Sequence, residues 1–161
     1  SGFTAGNLIR ESDIYFTSPE HDFMHTDEAL RIRTSENYST ASSSSFLTYK
    51  GPKLDTVSTT RKELETAIED SEVCRNILRC LGYTELSPVN KLRQYYHKEA
   101  ITACVDQVEG LGSFLELEIL VETEEQRPEA LKKIETILHD LDYSLRETTR
   151  YSYLYMLRNQ P

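Results

Sequence analysis

The sequence lacks the features that mark membrane proteins, secreted proteins and zinc ribbons. Tryptophan is absent, and the three cysteines among the 161 residues include no CxxC pair. An odd number of cysteines without paired spacing argues against a disulfide framework. No apolar run approaches the roughly 18 residues of a transmembrane helix, and the first residues lack the basic and apolar regions of a signal peptide. We therefore expect a cytoplasmic protein with reduced thiols.

Positive charge is also scarce in this chain. The 18 Lys and Arg residues are outnumbered by 27 Asp and Glu residues, so the net charge is −9 at pH 7. Affinity for nucleic acid or an anionic membrane depends on a basic surface, so we expect neither as a partner. Apolar residues nevertheless recur with clear periodicity, which predicts a single folded domain over 1–161 with some charges in its interior.

Alternating apolar and polar residues predict an antiparallel sheet. The segments with this pattern are 12–17, 28–34, 46–50, 61–69, 89–97, 100–106 and 113–122. The Ser-rich segment 35–45 has no period and is predicted to be a loop or a mobile hairpin tip. Helical spacing follows Asp70, with apolar residues at Val73, Ile77, Leu78 and Leu81, and a second helix begins at Pro128. With a tail at 148–158 that forms a helix or a strand, this order predicts an α+β fold.

Charges of one sign recur two residues apart within several predicted strands, so each pair shares one face of its strand. The basic pairs are Arg31 with Arg33 and Lys91 with Arg93; the acidic pairs are Glu63 with Glu65 and Glu116 with Glu118. One alternative is an ordinary sheet with a single solvated face. Like charges side by side cost energy unless opposite charges lie between them. Their recurrence on several strands therefore favours a charged lumen inside a curved sheet, with the helices on its apolar outer face.

The residue types in such a lumen suit one kind of chemistry. Arginine grips phosphate oxygens two at a time, and lysine adds a point charge. Paired carboxylates suit Mg²⁺ or Mn²⁺, which take oxygen ligands and bridge to phosphate. Glu116 and Glu118 lie about 7 Å apart along their strand, and Asp106 lies beside the preceding turn. The pattern predicts metal-dependent chemistry on a polyphosphate.

Seven segments resemble, in family order, the CYTH superfamily, which groups class IV adenylyl cyclases with thiamine triphosphatases and inorganic triphosphatases. They are DIYF (13–16), HDFMHTDEALRIR (21–33), LTYKGP (47–52), TRKELE (60–65), VNKLRQYY (89–96), VDQVEGLGSFLELE (105–118) and SYLYML (152–157). DEALRIR and TYKGP are most similar to the class IV adenylyl cyclase-like branch. The resemblance implies a triphosphate tunnel, which is an antiparallel β-barrel with helices packed outside.

The resemblance also implies roles for the charged residues. The expected phosphate-binding residues are Arg31, Arg33, Lys50, Arg61, Lys91 and Arg93. The expected catalytic residues are Arg31, Arg33, Lys50, Glu63 and Glu65, with the two glutamates lining the tunnel. Mg²⁺ or Mn²⁺ would be held by Asp106, Glu116 and Glu118. A homodimer is compatible with the family.

Three functions are compatible with these residues. The first is an enzyme that converts ATP to cyclic AMP and pyrophosphate, or instead hydrolyses inorganic triphosphate, thiamine triphosphate or a nucleoside triphosphate. The second is a non-catalytic module that binds polyphosphate or nucleotide. The third is a structural domain with a solvated charged face.

One departure from the family pattern bears on this choice. Family members open with an ExExK strand and a helix, whereas this sequence reaches DIYF by residue 13. In the family, the glutamates of ExExK bind metal and its lysine can act on the phosphates. We therefore expect that the sequence omits the first strand and helix of an intact domain; the alternative is a protein that has lost its catalytic start.

Overall fold

The computed structural model describes residues 2–56 and 58–160, which form eight β-strands and three α-helices. The strands are β1 (Thr4–Thr17), β2 (Ala29–Asn37), β3 (Ser42–Lys53), β4 (Arg61–Ile68), β5 (Thr84–Glu85), β6 (Val89–Lys98), β7 (Ile101–Val108) and β8 (Gly112–Ile119). The helices are α1 (Ser71–Cys80), α2 (Arg127–Asp140) and α3 (Tyr153–Arg158), with single 3-10 turns at Glu124–Gln126 and Leu145–Glu147. The predicted α+β class is confirmed.

The strands pair antiparallel wherever their register is defined, as the alternation predicts. The hydrogen-bonded order is β4-β3-β2-β1-β6-β7-β8, with β5 beside β1. Among the described strands this order is an open path rather than a closed ring of hydrogen bonds. The chain forms two compact units, residues 8–92 and residues 2–7 with 93–160, and β1 and β6 run through both. They are called the 8–92 unit and the 93–160 unit below.

The 8–92 unit buries the apolar face of its sheet beneath α1. Phe16, Ile32 and Leu78 form the buried core. Half-buried residues pack around it, namely Ile14, Leu30, Leu47, Ile68, Cys74 and Tyr83. Helix α1 begins after Asp70, whose carboxylate accepts a hydrogen bond from the Val73 amide at 3.0 Å and so caps the first turn, as predicted. The opposite face of the same strands is left for the charged residues.

Segment 35–45 is the tip of the β2–β3 hairpin, which is one of the two predicted alternatives, but the strands extend into both of its ends. β2 and β3 stay in register as far as the Asn37–Ser42 pair. Asn37 closes a tight turn by accepting hydrogen bonds from the amides of Ser39 at 2.9 Å and Thr40 at 3.2 Å. This end of the hairpin is polar on both faces, so it shows no hydrophobic period even though β2 and β3 remain paired as far as Asn37 and Ser42.

The apolar period of α1 suggests that its whole apolar face is buried, but only part of that face is buried. Leu78 is 8% exposed and packs against the sheet, whereas Ile77 is 54% exposed. Val73 and Leu81 lie one turn to either side of Ile77 and are also exposed. The stripe is therefore wider than the sheet that it contacts.

The 93–160 unit is built on the β7–β8 hairpin, α2 and α3. The hairpin turns at Gly110, whose φ of 81° favours glycine. A Cβ on Gly110 would lie 3.1 Å from Leu157 of α3, so the turn and the last helix approach closely. Helix α2 buries Ile137 and Leu138, and α3 buries Leu154. In the described residues, no helix has the length and apolar character needed to cross a bilayer.

We predict that Leu78→Ala lowers the free energy of unfolding by about 2–4 kcal/mol, because it leaves a cavity beneath α1. Ile77→Ala on the same helix is the matched control and should cost less than about 1 kcal/mol, since its side chain is already in solvent. Urea denaturation followed by circular dichroism measures both values. Equal losses would contradict the half-buried stripe.

Candidate functional site

The charged face of the 8–92 unit is formed by alternate residues of β1 to β4. Register places Tyr15 opposite Arg31, Arg31 opposite Thr48, and Thr48 opposite Glu65. The neighbouring rows pair Asp13 with Arg33 and Lys50 with Glu63. Sequence alternation predicted Arg31, Arg33, Glu63 and Glu65 as members of a charged face but did not predict Asp13, and the strand pairing now brings them together.

Asp13 lies at the centre of this face and is 1% exposed. Arg33 grips it with two hydrogen bonds of 2.7 Å, and Arg31 donates a third at 3.4 Å. Burial alone would raise the pKa of the Asp13 carboxyl. The hydrogen bond and charge of Arg33, with the charges of Arg31 and Lys91, instead lower this pKa to about 2. Asp13 is therefore an ionised anchor for two guanidinium groups.

Glu11 is a second buried carboxylate on the same face of β1. Its Oε2 atom lies 3.1 Å from an Arg33 nitrogen and 3.2 Å from Lys91 Nζ. Both distances are ion-pair distances, although neither contact has hydrogen-bond geometry. Lys91 is 5% exposed, so Glu11 supplies the negative charge that makes its burial tolerable.

Arg31 has one hydrogen-bond donor that the described residues leave unused. Its side chain is 8% exposed, and its Nε atom is buried without an acceptor in the structure. A buried N–H group without an acceptor costs on the order of 1–3 kcal/mol. An anionic oxygen next to Arg31 would remove this cost.

Lys50 and the two β4 glutamates extend the charged face to the edge of the unit. Lys50 Nζ bonds Glu63 at 2.7 Å, and Thr48 donates to Glu65 at 2.8 Å. Burial and the positive charge of Arg31 lower the pKa of Lys50, while Glu63 opposes this shift. Glu63 and Glu65 are exposed, unlike the carboxylates that anchor the arginines.

Arg61 is placed differently from the other predicted phosphate ligands. Its Nη2 atom lies 3.5 Å from the Asp27 carboxylate atom Oδ1, and its Nη1 atom donates to the Asp27 backbone carbonyl at 3.4 Å. Lys53 bonds the same carboxylate. Arg61 therefore holds the loop before β2 and is not in contact with Asp13 or Glu11.

The 93–160 unit carries its own charged cluster, centred on Asp106, which is fully buried. Arg93 binds both Asp106 oxygens at 2.6 Å and also bonds Glu116 at 2.6 Å. Tyr153 donates its hydroxyl to Asp106 at 2.9 Å. Burial raises the pKa of Tyr153 and the two carboxylates raise it further, so the tyrosine stays a donor.

The three predicted metal ligands do not form a ready metal site. Both Asp106 oxygens are taken by Arg93, while Glu116 and Glu118 are exposed on β8. Among residues 2–56 and 58–160, no group of three or more His, Cys, Asp or Glu could hold a metal ion. The described side chains alone do not fit a complete Mg²⁺ or Mn²⁺ site, and the metal assignment stays a prediction.

Sequence reasoning missed three residues of these clusters: Glu11, Asp13 and Tyr153. Glu11 and Asp13 are two residues apart on β1, which is the spacing that identified the other pairs. They were within reach of the same argument. Tyr153 had no such signal, because it reaches Asp106 from a helix 47 residues further along the chain.

Comparison with known proteins gives a consistent set of relatives. A family model described as the CYTH domain matches residues 1–153. A Methanocaldococcus jannaschii protein, named as a candidate adenylate cyclase, is 44% identical over 144 residues, covering 89% of this chain and 79% of that protein. The adenylate cyclase CyaB of Aeromonas hydrophila is 28% identical over 144 residues, covering 89% of this chain and 70% of that protein.

Solved structures show the same architecture. The PH1819 protein of Pyrococcus horikoshii OT3 matches with a TM-score of 0.91 at 40% identity, covering 98% of this chain and 88% of that chain. A Hippeastrum protein, described as a candidate adenylyl cyclase with a dominant triphosphatase activity, has a TM-score of 0.62 at 19% identity, covering 96% of this chain and 83% of that chain. The second likeness shows the fold alone.

We predict a stability loss in acid that depends on Asp13. Its pKa in the folded protein, about 2, lies below the ordinary value of 3.8. The ion pairs therefore stabilise the fold above the ordinary pKa, and this contribution of about 2 kcal/mol is lost as the pH falls from about 5 to about 2. Asp13→Asn should flatten the dependence of unfolding free energy on pH in that window.

Asp140→Asn, at the exposed end of α2, is the matched control and should keep the wild-type slope. Urea unfolding at a series of pH values measures all three proteins. The same slope in Asp13→Asn as in the wild type would show that Asp13 is not an ionised anchor.

Proposed function

Because the chain belongs to the CYTH domain family, we propose that it is an enzyme acting on a triphosphate, whose phosphates bind the anchored basic residues. The observation that carries the proposal is the buried Arg31 Nε, which has no acceptor among the described residues. A phosphate oxygen is the acceptor that a guanidinium group binds best.

Preorganisation supports the same proposal. Arg33, Lys91 and Arg93 are each held by a buried carboxylate, Asp13, Glu11 or Asp106. Side chains fixed in this way lose little conformational entropy when they bind an anion and need little reorganisation as charge develops during reaction. Arg31, Arg33 and Lys91 are therefore the proposed phosphate ligands of the 8–92 unit, with Lys50 at its edge, and Arg93 is the proposed phosphate ligand of the 93–160 unit. Arg61 is proposed to act indirectly, by holding the loop that contains Asp27.

The balance of charge supports a divalent cation as cofactor. Each of these basic residues except Arg61 contacts a carboxylate of its own face, so little positive charge is left uncompensated for a triphosphate. Mg²⁺ or Mn²⁺ would supply that charge and align phosphate oxygens. Glu116 and Glu118 are the exposed carboxylates that we expect nearest to it.

Two reactions use the same phosphate ligands. In cyclisation, the ATP 3′-hydroxyl attacks the α-phosphorus and pyrophosphate leaves. In hydrolysis, water attacks the terminal phosphorus of a triphosphate. We place cyclisation first because a relative 44% identical to this chain carries an adenylate cyclase name. Hydrolysis is the alternative, since the exposed Glu63 and Glu65 beside Lys50 could order a water molecule.

We predict that Arg31→Ala weakens the binding of inorganic triphosphate about 10- to 100-fold, the loss expected for hydrogen bonds to a charged group. Asp13 keeps its two bonds from Arg33 in this variant, so the fold should persist. Isothermal titration calorimetry measures the affinity.

Arg10→Ala is the matched control, because Arg10 is exposed and one residue out of phase with Glu11 on β1. Its affinity should equal that of the wild type. Equal losses in both variants would indicate general charge attraction and would contradict a site at Arg31.

We predict that the protein forms cyclic AMP and pyrophosphate from ATP, and the products formed from three substrates test this. The protein is incubated with ATP, inorganic triphosphate or thiamine triphosphate, with Mg²⁺, with Mn²⁺ or with a chelator. Cyclic AMP with pyrophosphate, lost on chelation, is the expected result. Phosphate release alone would assign hydrolysis instead, and triphosphate binding without any product would contradict enzymatic function.

A further inference from the structure

Tyr153 contacts the charged cluster around Asp106 from a helix, whereas the other members of that cluster lie on strands. It lies on α3, yet its hydroxyl hydrogen is donated to the fully buried Asp106 at 2.9 Å. Arg93 binds the same carboxylate through two nitrogen atoms at 2.6 Å. Asp106 thus joins a tyrosine from the end of the chain to an arginine of β6.

The ring of Tyr153 is held firmly enough to aim this hydroxyl. Its centroid lies 5.0 Å from that of Phe114, which faces Asp106 across the β7–β8 pair. The Ser152 side chain caps α3 by accepting from the Tyr155 amide at 3.2 Å. Beyond the helix, Gln160 donates to the Gly110 carbonyl at 2.6 Å. The hairpin that carries Asp106 and Glu116 therefore also seats the helix that carries Tyr153.

A second donor on Asp106 has a geometric consequence for Arg93. The terminal torsion of an aspartate is broad, so its carboxylate plane is poorly fixed by the backbone. The plane that a guanidinium fork adopts follows the carboxylate that it grips. The hydrogen bond from the Tyr153 hydroxyl is a third bond to Asp106, in addition to the two from Arg93. It fixes the plane of the carboxylate and therefore also the orientation of the Arg93 guanidinium group.

We propose that Tyr153 is a positioning residue for Arg93, acting through Asp106, and this inference rests on the proposed triphosphate site. Tyr153 itself does not contact the phosphates. Its contribution is to keep Arg93 in the orientation in which it bonds both Asp106 and Glu116. The tail of the chain is in this way part of the binding site and not only of the core.

The first experiment reads the arginine directly in the protein without ligand. Tyr153→Phe keeps the ring on Phe114 and removes only the hydroxyl. In NMR spectra of the arginine Nε–H groups, the Arg93 signal should shift and exchange faster in this variant. The Arg33 signal is the internal reference, because its Nε donates to Asp13 at 2.7 Å. An unmoved Arg93 signal would overturn the proposal, whatever the protein binds.

The second experiment measures affinity for inorganic triphosphate by calorimetry. Tyr153→Phe should weaken binding about 3- to 10-fold. Tyr155→Phe is the matched control on the same helix, where the ring stacks on Tyr151 and is partly exposed, and it should bind as the wild type does. Melting temperatures recorded for both variants separate weaker binding from a loss of fold.

A double-mutant cycle shows whether the tyrosine acts through the arginine. Adding Tyr153→Phe to Arg93→Gln should cause no further loss of affinity. Additive losses, or full affinity in Tyr153→Phe while Arg93→Gln binds weakly, would overturn the role of Tyr153 and leave the triphosphate site intact. No binding by the wild type would instead overturn the proposed function and, with it, this role in binding.

Discussion

Burial of carboxylates against guanidinium groups is the constraint on which the rest of this structure depends. Asp13 and Asp106 are almost completely inaccessible, and each is gripped at both oxygens by an arginine. Removing one partner of a buried ion pair leaves an uncompensated charge that costs about 3–5 kcal/mol. The arginines are therefore fixed by the requirements of folding. Arg31 in addition has one buried N–H group without an acceptor among the described residues, and an anionic ligand would supply that acceptor.

Each compact unit has its own buried carboxylate that pairs with a cation, and β6 supplies one such cation to each unit. Lys91 contacts Glu11 in the 8–92 unit, whereas Arg93 contacts Asp106 in the 93–160 unit. The two residues are two apart on one strand and so point to the same side of it. The net charge of −9 is compatible with a phosphate ligand because these cations are buried rather than spread over a basic surface.

The sequence allowed the strands and their charged faces to be predicted, because period-two alternation directly reports which side chains share a face. Where alternation is absent, as in the polar Asn37–Ser42 end of the hairpin, a loop or a hairpin tip was predicted, but not how far the strands extend. Glu11 and Asp13 have the spacing of the other pairs but were overlooked, because the first strand was predicted to begin at residue 12, whereas β1 begins at Thr4. Strand alternation could not predict the role of Tyr153, because its contact with Asp106 depends on how α3 packs. The apolar period of α1 was found, but not that only Leu78 of its stripe is buried.

We propose above all that Arg31, which is bonded to Asp13, binds phosphate through its buried Nε–H group, which has no acceptor among the described residues. NMR titration of the wild-type protein with inorganic triphosphate tests this most directly. We predict that the Arg31 Nε–H signal shifts and exchanges more slowly in proportion to occupancy, while that of the exposed Arg10 does not change. A response confined to Arg10 and other exposed basic residues, with Arg31 unaffected, would contradict it.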